Sequence, residues 1–565
     1  MKLQRNLLAT SIGACFLISA NLSYAATVMN VPNAGQLLQE QQQPEQLREP
    51  QPNVKIESSS NATTAYANDV KIPVQKIEIS GNSRFSTAQL HHLVEQAEGQ
   101  QLTLNQLSQL VQNITEYYQS HGYPYSRAYL PQQNLSQGIV QIRVLEAYYD
   151  KTLINNQSRT QNWLLDQTVA PLQQGARING DQLQQQLKLI NRLDGVATRN
   201  VLSPGATVGS SQLNIDVQNT PMLGGYIGAD NFGNEYTNRA RATAGISAYN
   251  LAGLGDVLSL DYMTSGERMN YGKVGYAFTF TGMGTRAGVS YSYLDYELGK
   301  DLKVLDAEGS AAQTSVFISQ PALLTNNAEV LLTLQYDHEQ LEDDINLSQY
   351  YKHRNLDVVT ARLDGSQFDQ LLGGGLTQYG ASTSFGRVKF KNEIAEILDS
   401  QTANTVGDYY LASLNLSRLQ NLGSKGTQAY VGVYGQYSPY NLDSAQQYLG
   451  GGPFSVRGYE SSQLAGSSGY LATLELRQRL YATGSNQITG KVFVDNAEVT
   501  LNAEKWAGVT GDNHVMMSSA GLGFNWVSAW NIQTNADVAF PIGSTPEQLK
   551  DRDDYQYWLS VRKTF

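Results

Sequence analysis

Alternation of apolar and polar residues dominates the C-terminal part of this chain. Leu258, Leu260 and Tyr262 flank Ser259 and Asp261, and Val274, Tyr276, Phe278 and Phe280 are separated by Gly275, Ala277 and Thr279. Val330, Leu332, Leu334 and Tyr336 repeat the pattern. A period of two sends successive side chains to opposite faces of a strand. A water-soluble antiparallel sheet alternates in the same way, so one run decides little. The pattern persists from about Met222 to Phe565, with Tyr at the ends of runs. That persistence fits strands with one face in lipid and the other on a small or polar lumen. Spanning strands of about 9–11 residues predict roughly 16 strands for residues 221–565, at about 21 residues per strand and connection, and the pattern alone leaves about 14 or 18 open.

Upstream, the period changes to a mixture. Val74 to Ile79 alternates and stops at Gly81-Asn82, which reads as a strand. Ser86 or Thr87 can cap a helix carrying Leu90, Leu93 and Val94. A longer helix follows, with Leu104, Leu107, Leu110, Val111, Ile114 and Tyr118 on one face, and Gly122 ends it. Strands at Ala128–Pro131 and Ile139–Val144 complete a β-α-α-β-β unit over residues 72–147. Residues 148–220 repeat the plan more loosely, with helices at Trp163–Leu172 and Asp181–Leu193 and strands at Thr198–Leu202 and Gln212–Val217.

The first residues have a different logic. Lys2 and Arg5 precede an apolar run, Leu7 to Ala20, and Ser23-Tyr24-Ala25 ends it, so residues 1–25 read as a secretory signal peptide. The single cysteine, Cys15, lies inside it, which leaves the mature chain without a disulfide framework or thiolate metal site. Within residues 26–48, the run Gly35, Gln36, Leu37, Leu38, Gln39 continues without a breaker to Pro44. It predicts a short helix, polar nearly all round, which is either solvated or held in a polar cavity. Residues 49–71 are rich in Pro, Ser, Asn, Thr and Ala and read as a flexible linker.

Composition narrows the class. Mean hydropathy is -0.36, yet barrel strands escape hydropathy scans because only alternate residues are apolar. The 34 Tyr, 50 Gly and 16% charged residues suit a barrel, and the net charge of -11 argues against a nucleic-acid binder. Enzyme motifs are missing. His91 and His92 are adjacent and diverge on a helix, and the Gly373-Gly374-Gly375 and Gly450-Gly451-Gly452 runs lack the Lys-Ser/Thr of a phosphate loop. No metal site and no cofactor are expected.

One stretch carries more specific information. Gly450-Gly451-Gly452-Pro453-Phe454-Ser455-Val456-Arg457-Gly458-Tyr459 lies among strand-like runs. Gly458 would let the backbone turn tightly behind the Arg457 guanidinium. By strand phase, Glu475 points inward between Leu474 and Leu476, and Phe493 and Asp495 point inward between valines. An arginine delivered into a polar interior would be held by such fixed carboxylates. The order Val456-Arg457-Gly458-Tyr459, then Glu475, then Phe493-x-Asp495 resembles the outer-membrane transporters of two-partner secretion, the TpsB family, relatives of the BamA insertase. Ala497 stands where the family's Phe-x-Asp-x-Gly has its last glycine, which puts tight backbone approach there in doubt. Gly122-Tyr123, Leu130-Pro131-Gln132-Gln133 and Leu202-Ser203-Pro204-Gly205 resemble motifs of the family's two POTRA domains.

The resemblance implies a membrane all-β fold: a 16-stranded antiparallel transmembrane β-barrel preceded by two α+β POTRA domains and an N-terminal plug helix. It implies a non-enzymatic bacterial outer-membrane pore with its POTRA domains in the periplasm. Such a pore exports a large cognate TpsA-type exoprotein (haemolysin, adhesin or contact-dependent inhibition toxin) without ATP. Arg457 would be held by Asp495 and Glu475 beside Phe493. Phe565 would be read by the barrel-assembly insertase, outer-membrane lipid would surround the barrel, and a monomer is expected. A BamA-like insertase is the alternative, disfavoured by two POTRA domains where five are usual.

Overall fold

The computed structural model describes residues 31–41, 56–58, 70–423, 426–550 and 552–565. The expected leader, residues 1–25 with Cys15, lies outside the described residues.

Sixteen antiparallel strands close into a barrel, in which the first, β10 (Leu223–Asp230), pairs with the last, β27 (Gln556–Thr564). Apolar side chains of one phase, such as Leu258, Leu260, Leu332, Leu334 and Leu414, stand exposed on the outer wall. They cover the face that meets hydrocarbon, where an unpaired backbone or charged group would be costly. Among the described residues no helix is long and apolar enough to cross a membrane. Phe565 sits at the seam, where its N–H donates to the Gly225 carbonyl at 3.0 Å and the Gly225 N–H donates back at 2.9 Å.

Before the barrel lie two α+β units. The first carries β3 (Lys76–Ser80), β5 (Arg127–Tyr129) and β6 (Ile139–Leu145) in the order β3-β6-β5, covered by α2 (Thr87–His92) and α3 (Leu104–Ser120). Ser86 and Thr103 start these helices with reciprocal capping boxes to Gln89 and Gln106. Leu107, Val111, Ile114 and Tyr118 bury one helical face against Ile77, Val140 and Ile142.

In the second unit, β7 (Tyr148–Asn156), β8 (Val196–Pro204) and β9 (Ser210–Asn219) are covered by α4 (Asn162–Val169) and α5 (Gly180–Asn191). Its sheet has a fourth member, β1 (Ile56–Ser58), giving the order β1-β8-β9-β7. This strand lies inside the segment expected to be linker, so part of that segment is ordered by backbone pairing that composition does not reveal.

The units meet at Glu146. Its carboxylate accepts from the Ser83 and Arg84 N–H groups at 2.7 and 2.8 Å and from the Tyr118 hydroxyl at 2.8 Å, and it pairs with Arg177 of the second unit at 3.1 Å. The second unit then docks on short barrel turns. Lys188, 1% exposed on α5, donates to the Thr325 carbonyl at 2.7 Å, Asp194 pairs with Arg286 at 2.6 Å, and Arg192 pairs with Glu329. These contacts mark the end of the barrel on the side of the α+β units.

Candidate functional site: two arginine clusters in the lumen

The lumen holds two insertions. One is the long connection between β20 (Thr427–Tyr437) and β23 (Ser468–Thr483), which folds inward and carries a small ribbon of β21 (Tyr448–Gly450) and β22 (Leu464–Gly466). The other is α1 (Ala34–Gln41).

At the tip of the loop, Arg457 is 5% exposed and fully engaged. Its Nε and Nη2 donate to the two oxygens of Asp495 at 2.8 Å each, and Nη1 donates to Glu475 Oε1 at 2.7 Å. The guanidinium carbon lies 3.3 Å from the centroid of the Phe493 ring. The Arg457 N–H also donates to Asp495, and its carbonyl accepts from Trp558 Nε1 at 2.8 Å. Phase explains the partners. On β23, Leu474 and Leu476 face outward and Glu475 inward; on β24 (Asn486–Thr500), Val492 and Val494 face outward and Phe493 and Asp495 inward. Glu475 is shared with Arg477 at 2.6 Å, so two cations neutralise it.

Neighbouring residues pin the loop. Val456 packs with Ala497, Val499, Val515 and Met517, and the Tyr459 hydroxyl accepts from Arg552 at 2.7 Å. Gly458 acts differently from the sequence expectation. Its φ is not positive; a Cβ there would stand 2.6 Å from Ser519 Cβ, so the glycine permits contact between loop and wall. The left-handed turns belong to Gly451 and Gly452, at φ 95° and 103°.

The second cluster surrounds α1, and sequence reasoning missed it. Arg354 on β17 (Tyr350–Asp369) has no exposed surface. Its Nη1 donates to Asp343 at 2.7 Å, its Nε to Asp443 at 2.5 Å and its Nη2 to the Ser444 hydroxyl at 3.0 Å. Asp343 lies near the end of β16 (Ala328–Ile345), and Asp443 and Ser444 lie on the inward loop. The other oxygen of Asp343 accepts from the Ala34 N–H of α1 at 2.7 Å and from the Tyr296 hydroxyl at 2.6 Å. Arg354 thus ties together wall, loop and helix. Around it Ala34, Leu37 and Leu38 are buried among Met263, Met269, Tyr271, Leu294 and Leu356. This corrects the reading of α1 as a helix polar nearly all round with no apolar stripe to bury. It buries a short apolar stripe, because this end of the lumen is apolar. A Cβ on Gly35 would come 2.6 Å from the Ala445 nitrogen, so Gly35 lets helix and loop touch. Gln39 donates to the Gln447 carbonyl at 2.9 Å, and Glu40 accepts from Ser462 at 2.5 Å. Farther along, Gln313, Thr333, Gln335, Asp337, Thr360 and Arg362 line a polar cavity of the lumen.

A signal for Arg354 was present but blurred. Arg354 shares its phase with buried Leu356 and Val358, while Val359 faces out, so apolar residues occupy both faces of this stretch.

Residues 72–147 match the family described as POTRA domain, ShlB-type, and residues 209–525, more than half of the chain, match haemolysin secretion/activation protein ShlB/FhaC/HecB. The chain is 27% identical over 579 residues to the heme/hemopexin transporter protein HuxB of Haemophilus influenzae (strain 86-028NP), covering all of both. It is 25% identical over 385 residues to the outer membrane transporter CdiB of Dickeya dadantii (strain 3937), covering 65% of each. The solved structure of CdiB from Escherichia coli shares the fold, with a TM-score of 0.70 at 20% identity over 94% of this chain and 97% of that one. The chain belongs to the ShlB/FhaC/HecB family of haemolysin secretion/activation proteins, the two-partner secretion transporters of the bacterial outer membrane.

Proposed function

We propose that this transporter exports its exoprotein through a binding and gating cycle with no covalent step. The α+β units take up the unfolded exoprotein in the periplasm, where exposed strand edges can pair with extended segments. At rest α1 plugs the lumen and the loop carrying Arg457 is locked to the wall. Release of α1 opens a polar path, and folding outside the cell biases diffusion outward. The protein works as a monomer in outer-membrane lipid, placed there by the barrel-assembly insertase, which reads the strand ending at Phe565.

One observation carries this reading: α1 lies inside the lumen, capped by Asp343 and bonded to Gln447 and Ser462. Its seat suits release. Gln39 Oε1 and Glu40 Oε2 are buried without a hydrogen-bond partner among the described residues, and each gains one when the helix enters water. Deleting residues 32–48 is expected to raise ion conductance in planar bilayers while the barrel stays heat-modifiable on gels. Unchanged conductance would show that α1 does not obstruct the pore.

A further inference from the structure

One pair of buried acids belongs to neither arginine cluster. On β16, Leu334 and Tyr336 face outward, so Asp337 and Glu339 turn into the lumen. They are 6% and 3% exposed and line the polar cavity, about 150 Å³ in volume, with Thr360 of β17 and Gln446 of the inward loop. Neutral donors hold them. Gln313 Nε2, on β15 (Ala307–Leu324), donates to Asp337 Oδ1 at 3.2 Å and to Glu339 Oε1 at 3.4 Å, so the two carboxylates converge on one amide. Ser315 donates to Asp337 Oδ1 at 2.5 Å, and Gln335 donates to its two oxygens at 2.9 and 2.8 Å. Glu339 Oε2 is buried without a hydrogen-bond partner among the described residues. The arginines nearby are committed elsewhere: Arg362, in the cavity lining, pairs with Asp364 at 3.0 Å, and Arg354 pairs with Asp343 and Asp443. Lys273 acts on Asp337 through space and forms no ion pair with it among the described residues.

We propose that this cavity is a binding site for a hard divalent cation, calcium in preference to magnesium, held by Glu339 Oε2 and Asp337 Oδ2 and completed by water. Two adjacent carboxylates in a site cut off from bulk water repel each other and lack solvation, so the pair requires a counter-charge. An ion between them supplies it and gives Glu339 Oε2 its partner. Asp337 Oδ2 has room for the ion, since Gln335 is its one hydrogen-bond donor among the described residues. The donors are all oxygen, which selects a hard cation over a soft one. They reach the cavity from neighbouring strands and a loop, an irregular set with space for water. That suits calcium, which takes about six to eight oxygens flexibly, better than magnesium, which demands a near-ideal octahedron. Bound there, the ion would brace β15, β16 and β17 beside Gln446, three residues along the inward loop from Asp443.

The test uses the full-length protein in detergent, freed of lipopolysaccharide and stripped with EDTA. In equilibrium dialysis against radioactive calcium at about 1 mM, where weak all-oxygen sites load, the wild type should hold about one calcium more per chain than Glu339→Gln. Asp337→Asn should lose the same ion. Glu547→Gln, which alters a carboxylate 74% exposed at the surface, should lose none. Heat-modifiable migration on gels shows which variants are folded barrels, and uptake is compared among those. Equal uptake by the wild type and Glu339→Gln would overturn the site and leave a shared proton as the counter-charge. The wild type alone gives a second measurement. Calcium at about 10 mM should raise the midpoint of its heat modification by about 2 °C or more, as a ligand bound only by the folded barrel does. An unchanged midpoint would overturn the site even if no variant folded. Magnesium at the same concentration should give less than half the shift; an equal shift would overturn the preference for calcium.

Discussion

Arg457 and Arg354 are both buried arginines clamped by two acidic side chains in the same lumen, yet they join different parts. Arg457 connects the loop to β23 and β24, two parts of the wall and its insertion. Its partners stay within the barrel domain. Arg354 connects wall, loop and, through Asp343, the separate helix α1. Phe493 stacks on the first guanidinium, while the second lies beside an apolar seat for Leu37 and Leu38. The first arrangement joins a loop to the wall of the same domain. The second holds α1, the piece that the proposed cycle releases. In the proposed cycle two chemically similar clusters serve as a lock and as a latch, and the difference lies in what each holds.

The largest effect should come from breaking the lock. Arg457→Ala leaves Asp495 and Glu475 in place, and removing one member of a fully buried pair costs about 3–5 kcal/mol, less where lumen water reaches the survivors. Export of the exoprotein, read in the medium and on the cell surface, should fall by roughly two orders of magnitude. Outer-membrane levels should stay near normal. Asp495→Ala should do the same, and the double variant should be no worse than either single; additive losses would mean the two residues act separately.

Breaking the latch should have a smaller effect, of the opposite kind. Arg354→Gln removes bonds to both aspartates, and each hydrogen bond to a charged group is worth about 1.5–3 kcal/mol. The plug should leave more often, raising the open fraction in planar bilayers roughly tenfold or more. A variant as closed as the wild type would deny Arg354 its role in seating α1.

The terminal residue tests assembly, which neither cluster should control. Removing Phe565 deletes its two backbone hydrogen bonds with Gly225 at the seam and the terminal aromatic itself. Heat-modifiable barrel in outer membranes is expected to drop several-fold. Normal amounts would leave the C-terminal aromatic without a part in assembly.

Glu146 offers the smallest effect and a control outside the membrane. Burial pushes its carboxyl up, but hydrogen bonds from Ser83, Arg84 and Tyr118 outweigh that and hold it below the usual glutamate range. A carboxyl lowered in the folded state contributes fully above its unfolded value, about 4.3, and loses that contribution as pH falls through its folded value. Glu146→Gln should lower the melting midpoint of residues 70–220 by about 4 °C at pH 7, the shift that roughly 1 kcal/mol produces in a domain of this size. The gap between wild type and variant should shrink as the pH is lowered below about 4.3. A constant gap down to pH 3 would remove the carboxylate from the account.

The barrel and the inward direction of the acids around Arg457 were legible in the sequence because a strand's period of two is local, whereas the pairing of Arg457 with them came from the family resemblance. Parity alone turns Glu475, Phe493 and Asp495 inward and Leu474, Leu476, Val492 and Val494 outward. The β-α-α-β-β order was legible for the same reason, since Ser86 and Thr103 act on backbone only three residues away. What the tertiary structure alone decided depends on residues far apart in the chain. Asp343 caps a helix more than three hundred positions upstream, Gly458 is a glycine because Ser519 stands behind it, and Ile56–Ser58 is a strand because β8 offers an edge. Local composition made the linker look open and α1 look polar nearly all round. Long-range packing supplied the partner strand for the one and the apolar seat for the other, and neither partner leaves a mark in the neighbouring sequence.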